Sequence, residues 1–245
     1  MSRVVRVGLR VLRAPVADGI AMSFSPLRHR SAVLVQVRTE DGRIGQGESW
    51  TNDPPWAVEE RVVTLSQGVL PLLLGQDASR IAAVHRRLCA KLDPLGRQWG
   101  APGPIRQAIS AVDVALWDLA GQRAGAAASG LAASGLAAGR VRDEIPVYAS
   151  SLGPDNVSDT ARRCTLDGHR AVKLELGFGA AMAPVVEGVE YDIRDNPLRD
   201  PLLLEPPVPD NGTVRIPELP GLGVRFDEAA IAEVTDDELD LELSL

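Results

Sequence analysis

The sequence predicts an α+β module followed by a short α/β unit, and three observations carry that expectation. Strand-like segments come first and helix-like segments second up to about Pro104, an order that gives α+β rather than alternating architecture. A long helix with one wide apolar face then leads into a single strand–helix–strand run, the unit that begins a Rossmann-type sheet or a barrel. Beyond it, residues 189–226 are Pro-rich with short strand-like pieces. They suit a segment lying across another domain's surface.

Each element has its own warrant. Residues 3–13 alternate and are rich in Val and Leu, as an edge or surface strand would be. Residues 14–30 contain Pro15, Gly19 and Pro26 and read as a loop. Ser31–Arg38 is a second strand, turned at Asp41-Gly42 into Ile44–Glu48 to make a hairpin. Trp56–Leu74 and Ser79–Leu92 repeat apolar residues at helical spacing. After Pro104, the residues Ile105, Ala108, Ile109, Val112, Leu116 and Leu119 line one helical face, and the helix ends near Gly125. The small-residue tandem AAASGLAASGLAAG reads as a flexible linker. Ile145–Ser151, Val157–Leu166 and Ala171–Leu176 then form the βαβ unit. The stretch AAMAPVVEG fits neither a strand–loop–helix pattern nor a linker, and the acidic TDDELDLELSL is expected to be frayed or weakly helical.

Composition bounds the function. With 45% hydrophobic and 24% charged residues, the chain has the make-up of a soluble globular protein. A net charge of -7 with no clustered Lys/Arg face excludes a nucleic-acid partner. No apolar run reaches the ~18 residues of a membrane span, and the arginines scattered through MSRVVRVGLRVL do not make a signal peptide. A cytoplasmic location is expected. Cys89 and Cys164 lack a CxxC or a nearby His at ligand spacing, so they read as buried reduced thiols.

Four motifs, in order, resemble the enolase superfamily in its mandelate racemase/muconate lactonizing enzyme branch. They are GRIGQGES (42–49), AISAVDVALWDLAGQRAG (108–125), PVYASSLG with GHRAVKLELGFG (146–153 and 168–179), and NPLRDPLLLEPPVPDNGTVRIPELPGLGV (196–224). The resemblance implies an α+β capping domain plus an incomplete α/β (TIM-type) barrel fragment. The capping domain would occupy residues 1–104. A lead-in helix and the first βαβ of a truncated barrel would occupy 105–183, and a return packing on the capping domain would occupy 184–245.

The resemblance also implies a chemistry: proton abstraction α to a carboxylate, with the enediolate stabilised by Mg²⁺ and a Lys or His as base. The metal needs hard oxygen ligands, supplied in the family by carboxylates at the ends of three successive barrel strands. Here those strands are missing. Roughly 80 residues separate Pro104 from Val189, against ~200 at the least for a closed eight-fold barrel. Glu187, Glu190 and Asp192 fall in the stretch resembling the return. No metal ligand set is therefore expected in this chain, although Mg²⁺ serves the family.

Lys173 and Glu175 are the candidate catalytic residues. They share a strand face as i and i+2, so Lys173 could contact a substrate carboxylate while Glu175 acts as base. A carboxylate beside a lysine, however, stabilises the charged amine, and an ordinary Lys–Glu neighbour pair is the plainer reading. Phe24, Arg28, His29 and Trp50 are candidate substrate contacts, with Phe24, Arg28 and His29 on the stretch matching the family's specificity loop. Gly45, Gly47 and Glu48 could shape a substrate-facing loop or simply end the hairpin, and Trp117 and Asp118 read as structural. The implied substrate is a small carboxylic acid such as a sugar acid, undergoing dehydration, racemisation or cycloisomerisation, with turnover by this chain alone not expected. The rival reading is a non-catalytic interaction protein, or a half-barrel completed by a partner chain as a homo-oligomer, since unpaired edges invite association.

Overall fold

The computed structural model describes residues 2–16, 21–22, 25–51, 54–128, 143–152, 157–174, 189–193 and 196–242. In chain order, strands β1 (Val4–Pro15), β2 (Ala21–Met22), β3 (Ser25–Pro26), β4 (His29–Thr39) and β5 (Ile44–Trp50) come first. Helix α1 (Ala57–Val63) continues through a π-helical turn (Thr64–Val69) into α2 (Leu70–Leu73), followed by α3 (Ile81–Gln98) and α4 (Pro102–Ala124). Then come β6 (Glu144–Leu152), α5 (Val157–Leu166), β7 (Val172–Leu174), β8 (Val189–Asp192), β9 (Thr213–Arg215), α6 (Glu228–Val234) and β10 (Thr235–Glu242).

An antiparallel sheet of order β10-β1-β4-β5 forms the first layer. Its inner face carries Val4, Val7, Leu9 and Val11 of β1 and Val33, Val35 and Val37 of β4, all buried against α1–α4. Alternation along each strand sends these side chains to one face, and burying each stabilises the fold by roughly 1.5–3 kcal/mol. The outer face is covered at one end only, where Leu12, Ala32 and Leu34 pack under Leu202 and Ile231. Covering both faces there explains why Ala32–Val35 is buried without interruption.

Three expectations need correction here. β1 is an interior strand rather than an edge, because β10 pairs along it from Arg6↔Glu242 to Leu12↔Thr235. The acidic segment is thus a strand, not frayed or helical. Its Glu238, Asp240 and Glu242 alternate with Leu239 and Leu241, a period-two signal that the high charge disguised. Residues 14–30 are not all loop: Ala14 and Pro15 pair with Arg30 and His29, so the two strands outrun the turn residues that suggested a break.

α4 begins two residues before Pro104 and ends at Gly125, which is left-handed (φ 62°), the C-cap that glycine favours. Its anticipated face is buried, and so are Ala111 and Ala115 on a second face. That second face lies on β5, where ideal Cβ atoms at Gly45 and Gly47 would stand 2.1 and 2.0 Å from the Ala115 and Ala111 carbonyl oxygens. The G-x-G pattern therefore serves helix–sheet contact and not a substrate loop. Cys164 is buried and Cys89 half-buried, both as free thiols.

A second sheet has the order β7-β6-β8, with β9 also pairing with β6. β7 and β8 both run parallel to β6. The small-residue tandem and AAMAPVVEG lie almost wholly outside the described residues.

Candidate functional site

Parallel strands align their carboxyl ends, and in open or closed α/β sheets ligands collect there. Register does the rest. Tyr148 and Ser150 of β6 stand opposite Glu190 and Asp192 of β8, and two-residue spacing puts each pair on one face. Lys173 of β7 reaches the same face from the other side: its Nζ lies 2.8 Å from Glu190 Oε1. The buried Ser150 hydroxyl donates to the same oxygen, and the Tyr148 hydroxyl donates to Glu190 Oε2 at 3.4 Å.

Glu190 and Asp192 thus sit on a strand parallel to β6, not in a segment returning across the capping sheet. Four residues, VEYD, carry no periodicity long enough to reveal a strand. Sequence reasoning missed Glu190 as the partner of Lys173 and Ser150 as the second donor to Glu190. The one available signal was the Tyr-x-Ser spacing within β6.

Burial pushes the Glu190 carboxyl up. The hydrogen bonds from Lys173 and Ser150, the Lys173 charge and the Tyr148 hydroxyl outweigh it and hold the group below its ordinary range. The folded pKa is depressed, so the associated stability is complete above the ordinary carboxylate pKa and lost as pH falls through the lower folded value. Glu190→Gln should therefore flatten the acid limb of stability against pH. Its cost at neutral pH should be no more than ~1 kcal/mol, because both partners are substantially solvated. Thermal melts between pH 3 and about 7 check this; an unchanged acid limb would contradict it.

The site is tied to the capping sheet. Arg30, buried at the start of β4, pairs with Asp192. Arg199 donates to the Asp192 carbonyl at 2.7 Å, and its guanidinium lies 4.4 Å over the Tyr191 ring, a cation–π contact. Tyr191 in turn stacks on His169, with centroids 6.3 Å apart.

Of the other anticipated residues, those that the structure describes do not join this cluster. Glu175 and Phe24 lie outside the described residues. Arg28 and His29 are exposed, and among the described residues neither hydrogen-bonds to the Lys173 group. Trp50 ends β5 with 56% of its surface exposed, opposite Ala32. Asp118 accepts three hydrogen bonds away from this cluster, from the Gln46 and Leu222 amides and from Gln122 Nε2.

Mg²⁺ requires near-octahedral oxygen ligation. Among the described residues no group of three His, Cys, Asp or Glu side chains could hold a metal ion. The two carboxylates on this face already face cations, Glu190 against Lys173 and Asp192 against Arg30. The described residues do not fit the ion. Nor is any helix among them long and apolar enough to cross a membrane.

Comparison with known proteins agrees with this architecture. A model of the mandelate racemase/muconate lactonizing enzyme N-terminal domain matches residues 6–132. A D-galactonate dehydratase family member, RspA of Halomonas elongata, is 30% identical over 68% of this chain and 40% of its own length. D-galactarolactone cycloisomerase of Agrobacterium fabrum is 32% identical over 67% of this chain and 43% of its own. This chain thus spans about two fifths of the curated relatives it matches. A solved mandelate racemase/muconate lactonizing enzyme from Bordetella bronchiseptica is 36% identical with a TM-score of 0.58, covering 71% of this chain and 44% of that one. A putative mandelate racemase from the same organism, only 16% identical, shares the fold at a TM-score of 0.79 across 97% of this chain and 96% of its own. The antiparallel cap, the helix that seats on its two glycines and the parallel strands beyond it all converge with these matches: the chain belongs to the mandelate racemase/muconate lactonizing enzyme branch of the enolase superfamily.

Proposed function

We propose that this chain is an internally shortened member of that family, which keeps the capping domain but does not turn over substrate by itself. The proposed organisation is a cap over 1–104, a lead-in helix with the start of a barrel over 105–183, and a return over 184–245 that also contributes β8. Relatives named as a D-galactonate dehydratase family member, a D-galactarolactone cycloisomerase and an N-succinyl-L-Arg/Lys racemase support a small carboxylic acid, such as a sugar acid, as the ancestral substrate class. The family reaction removes a proton α to the carboxylate with Mg²⁺ assistance.

The observation that carries the reading is the state of Lys173. A carboxylate 2.8 Å from the ammonium favours its charged form, which suits contact with a substrate carboxylate better than proton abstraction. Glu175, two positions on in sequence, is the remaining candidate base. Support also comes from the sequence relatives, of which this chain spans about two fifths.

Hydrogen–deuterium exchange at the α carbon tests this directly. The purified chain is incubated in D₂O with Mg²⁺ and a panel of aldonic and aldaric acids, and the α-proton signal is followed by NMR. No exchange above the protein-free rate is expected. Exchange that saturates with substrate and depends on Mg²⁺ would show that catalysis survives.

One observation favours a second reading, a half-barrel completed by a partner chain. Among the described residues the parallel part of this sheet has three strands, with β7 and β8 outermost.

A further inference from the structure

We propose that β10 is an exchangeable strand, and that the groove it occupies along β1 accepts the β10 of a second copy of this chain. The inference concerns the capping sheet and stands apart from the catalytic reading.

β1 is twelve residues long and is interior only because β10 covers it. Without that cover it would present a long row of unpaired backbone groups, the situation that invites pairing with another strand. The cover is held in an unusual way. Arg6 pairs with Asp240 and Glu242, Arg10 with Glu238 at 3.1 Å and Arg13 with Asp236 at 3.4 Å. All four carboxylate side chains are about half exposed or more, so salt screens these pairs and each contributes little on its own. The apolar anchor is also weak: Leu239 keeps 37% of its surface exposed, whereas Leu9 opposite keeps 2%.

The helix before it shares one such pair, Glu228 with Arg10 at 2.5 Å, but is anchored by burial as well. Ile231 of α6 is 1% exposed. Asp227 caps the helix by accepting from the Ala229 and Ala230 amides at 3.0 and 3.2 Å. Thr235 begins β10 directly after Val234, with no loop between helix and strand. The boundary between a buried anchor and a screened strand therefore falls at one peptide, which is where local opening is cheapest. A short connection at such a boundary favours exchange between copies over closure within one.

The occupant follows from the charge pattern. An extended segment with acidic groups at alternate positions meets Arg6 and Arg10 in register and Arg13 from the bulge at Asp236, and β10 of another copy reproduces these contacts in trans. No new interaction is required, so concentration alone sets the balance.

Two full-length variants test the proposal. One carries Glu238→Arg, Asp240→Arg and Glu242→Arg; the other carries Arg6→Glu, Arg10→Glu and Arg13→Glu. Each opposes like charges within its own sheet, and together they are complementary. At about 50 mM salt, mixing should give a one-to-one complex by light scattering, bound at least tenfold tighter than either variant binds itself and dissociating at about 500 mM. Failure to form that complex, or a complex indifferent to salt, would overturn the proposal. Should either variant not fold, a fluorescent peptide of residues 235–242 is titrated into the wild-type chain. Millimolar affinity that weakens at least tenfold over the same salt range supports exchange, and no binding at millimolar peptide overturns it.

Discussion

Gly47→Ala is expected to remove roughly 3 kcal/mol or more of folding stability, at or above the top of the usual range for overpacked interiors. The added methyl would stand 2.0 Å from the Ala111 carbonyl oxygen and 3.1 Å from the Ala115 amide nitrogen. Both are backbone atoms of α4, so no rotamer change relieves the clash. The helix must lift from β5, and that movement opens a gap beneath Ala108, Val112 and Leu116, which are 0–1% exposed. Voids there lose dispersion contacts on both walls. With total stabilities of about 5–15 kcal/mol for natural domains, the variant should lose a large share of its reserve. Gly68→Ala is the control. It lies in the π-helical turn, where its Cβ position meets only the Leu92 side chain at 3.6 Å, and alanine there should be neutral or stabilising by up to ~1 kcal/mol. Urea denaturation followed by circular dichroism measures both. A Gly47→Ala protein within ~1 kcal/mol of the parent would show that α4 is not seated on β5 at those glycines.

These same glycines show where sequence reading succeeds and where it stops. The hairpin around Asp41-Gly42 and the apolar face of α4 were legible because both signals are local: a turn dipeptide between alternating runs, and a period of three to four residues. The purpose of Gly45 and Gly47 was not. It depends on which surface α4 presses against, and nothing within the octapeptide GRIGQGES encodes that surface. Sheet order failed for the same reason. β1 reads as an edge from its own residues, yet its status is decided by Thr235–Glu242, more than two hundred positions away.

The candidate site divides along the same line. Lys173 was legible as the polar member of an apolar strand, and the family resemblance marked it. Its pairing with Glu190 was not, because parallel pairing through β6 brings together residues seventeen positions apart. Chain proximity cannot reveal a contact that register makes. The consequence is electrostatic: a strand-end carboxylate 2.8 Å away favours the charged form of the amine.

Asp118→Ala is expected to cost about 3–5 kcal/mol, because it orphans several donors at once. The carboxylate is 6% exposed. Its Oδ2 accepts from the Gln46 amide at 2.9 Å and from Gln122 Nε2 at 3.0 Å, and its Oδ1 accepts from the Leu222 amide at 2.9 Å. One side chain on α4 therefore holds strand β5 and the PGLG segment of the return together. Around it, the Gly221 amide donates to the Ala126 carbonyl at 3.1 Å, and the Ala128 amide donates to the Gly221 carbonyl at 2.6 Å. Buried N–H groups left without acceptors cost more than the bonds themselves contribute. Asp118→Asn should fall between parent and alanine, at about 1–3 kcal/mol, since its single oxygen can serve one side of the junction while its NH₂ confronts a donor on the other. Amide hydrogen exchange separates this role from a general loss of stability. Under native conditions, protection should fall first at Gln46 and Leu222 in both variants, with β4 amides such as Val35 unaffected until global unfolding. Equal acceleration at all three would mean that Asp118 supports the core as a whole rather than the junction of cap and return.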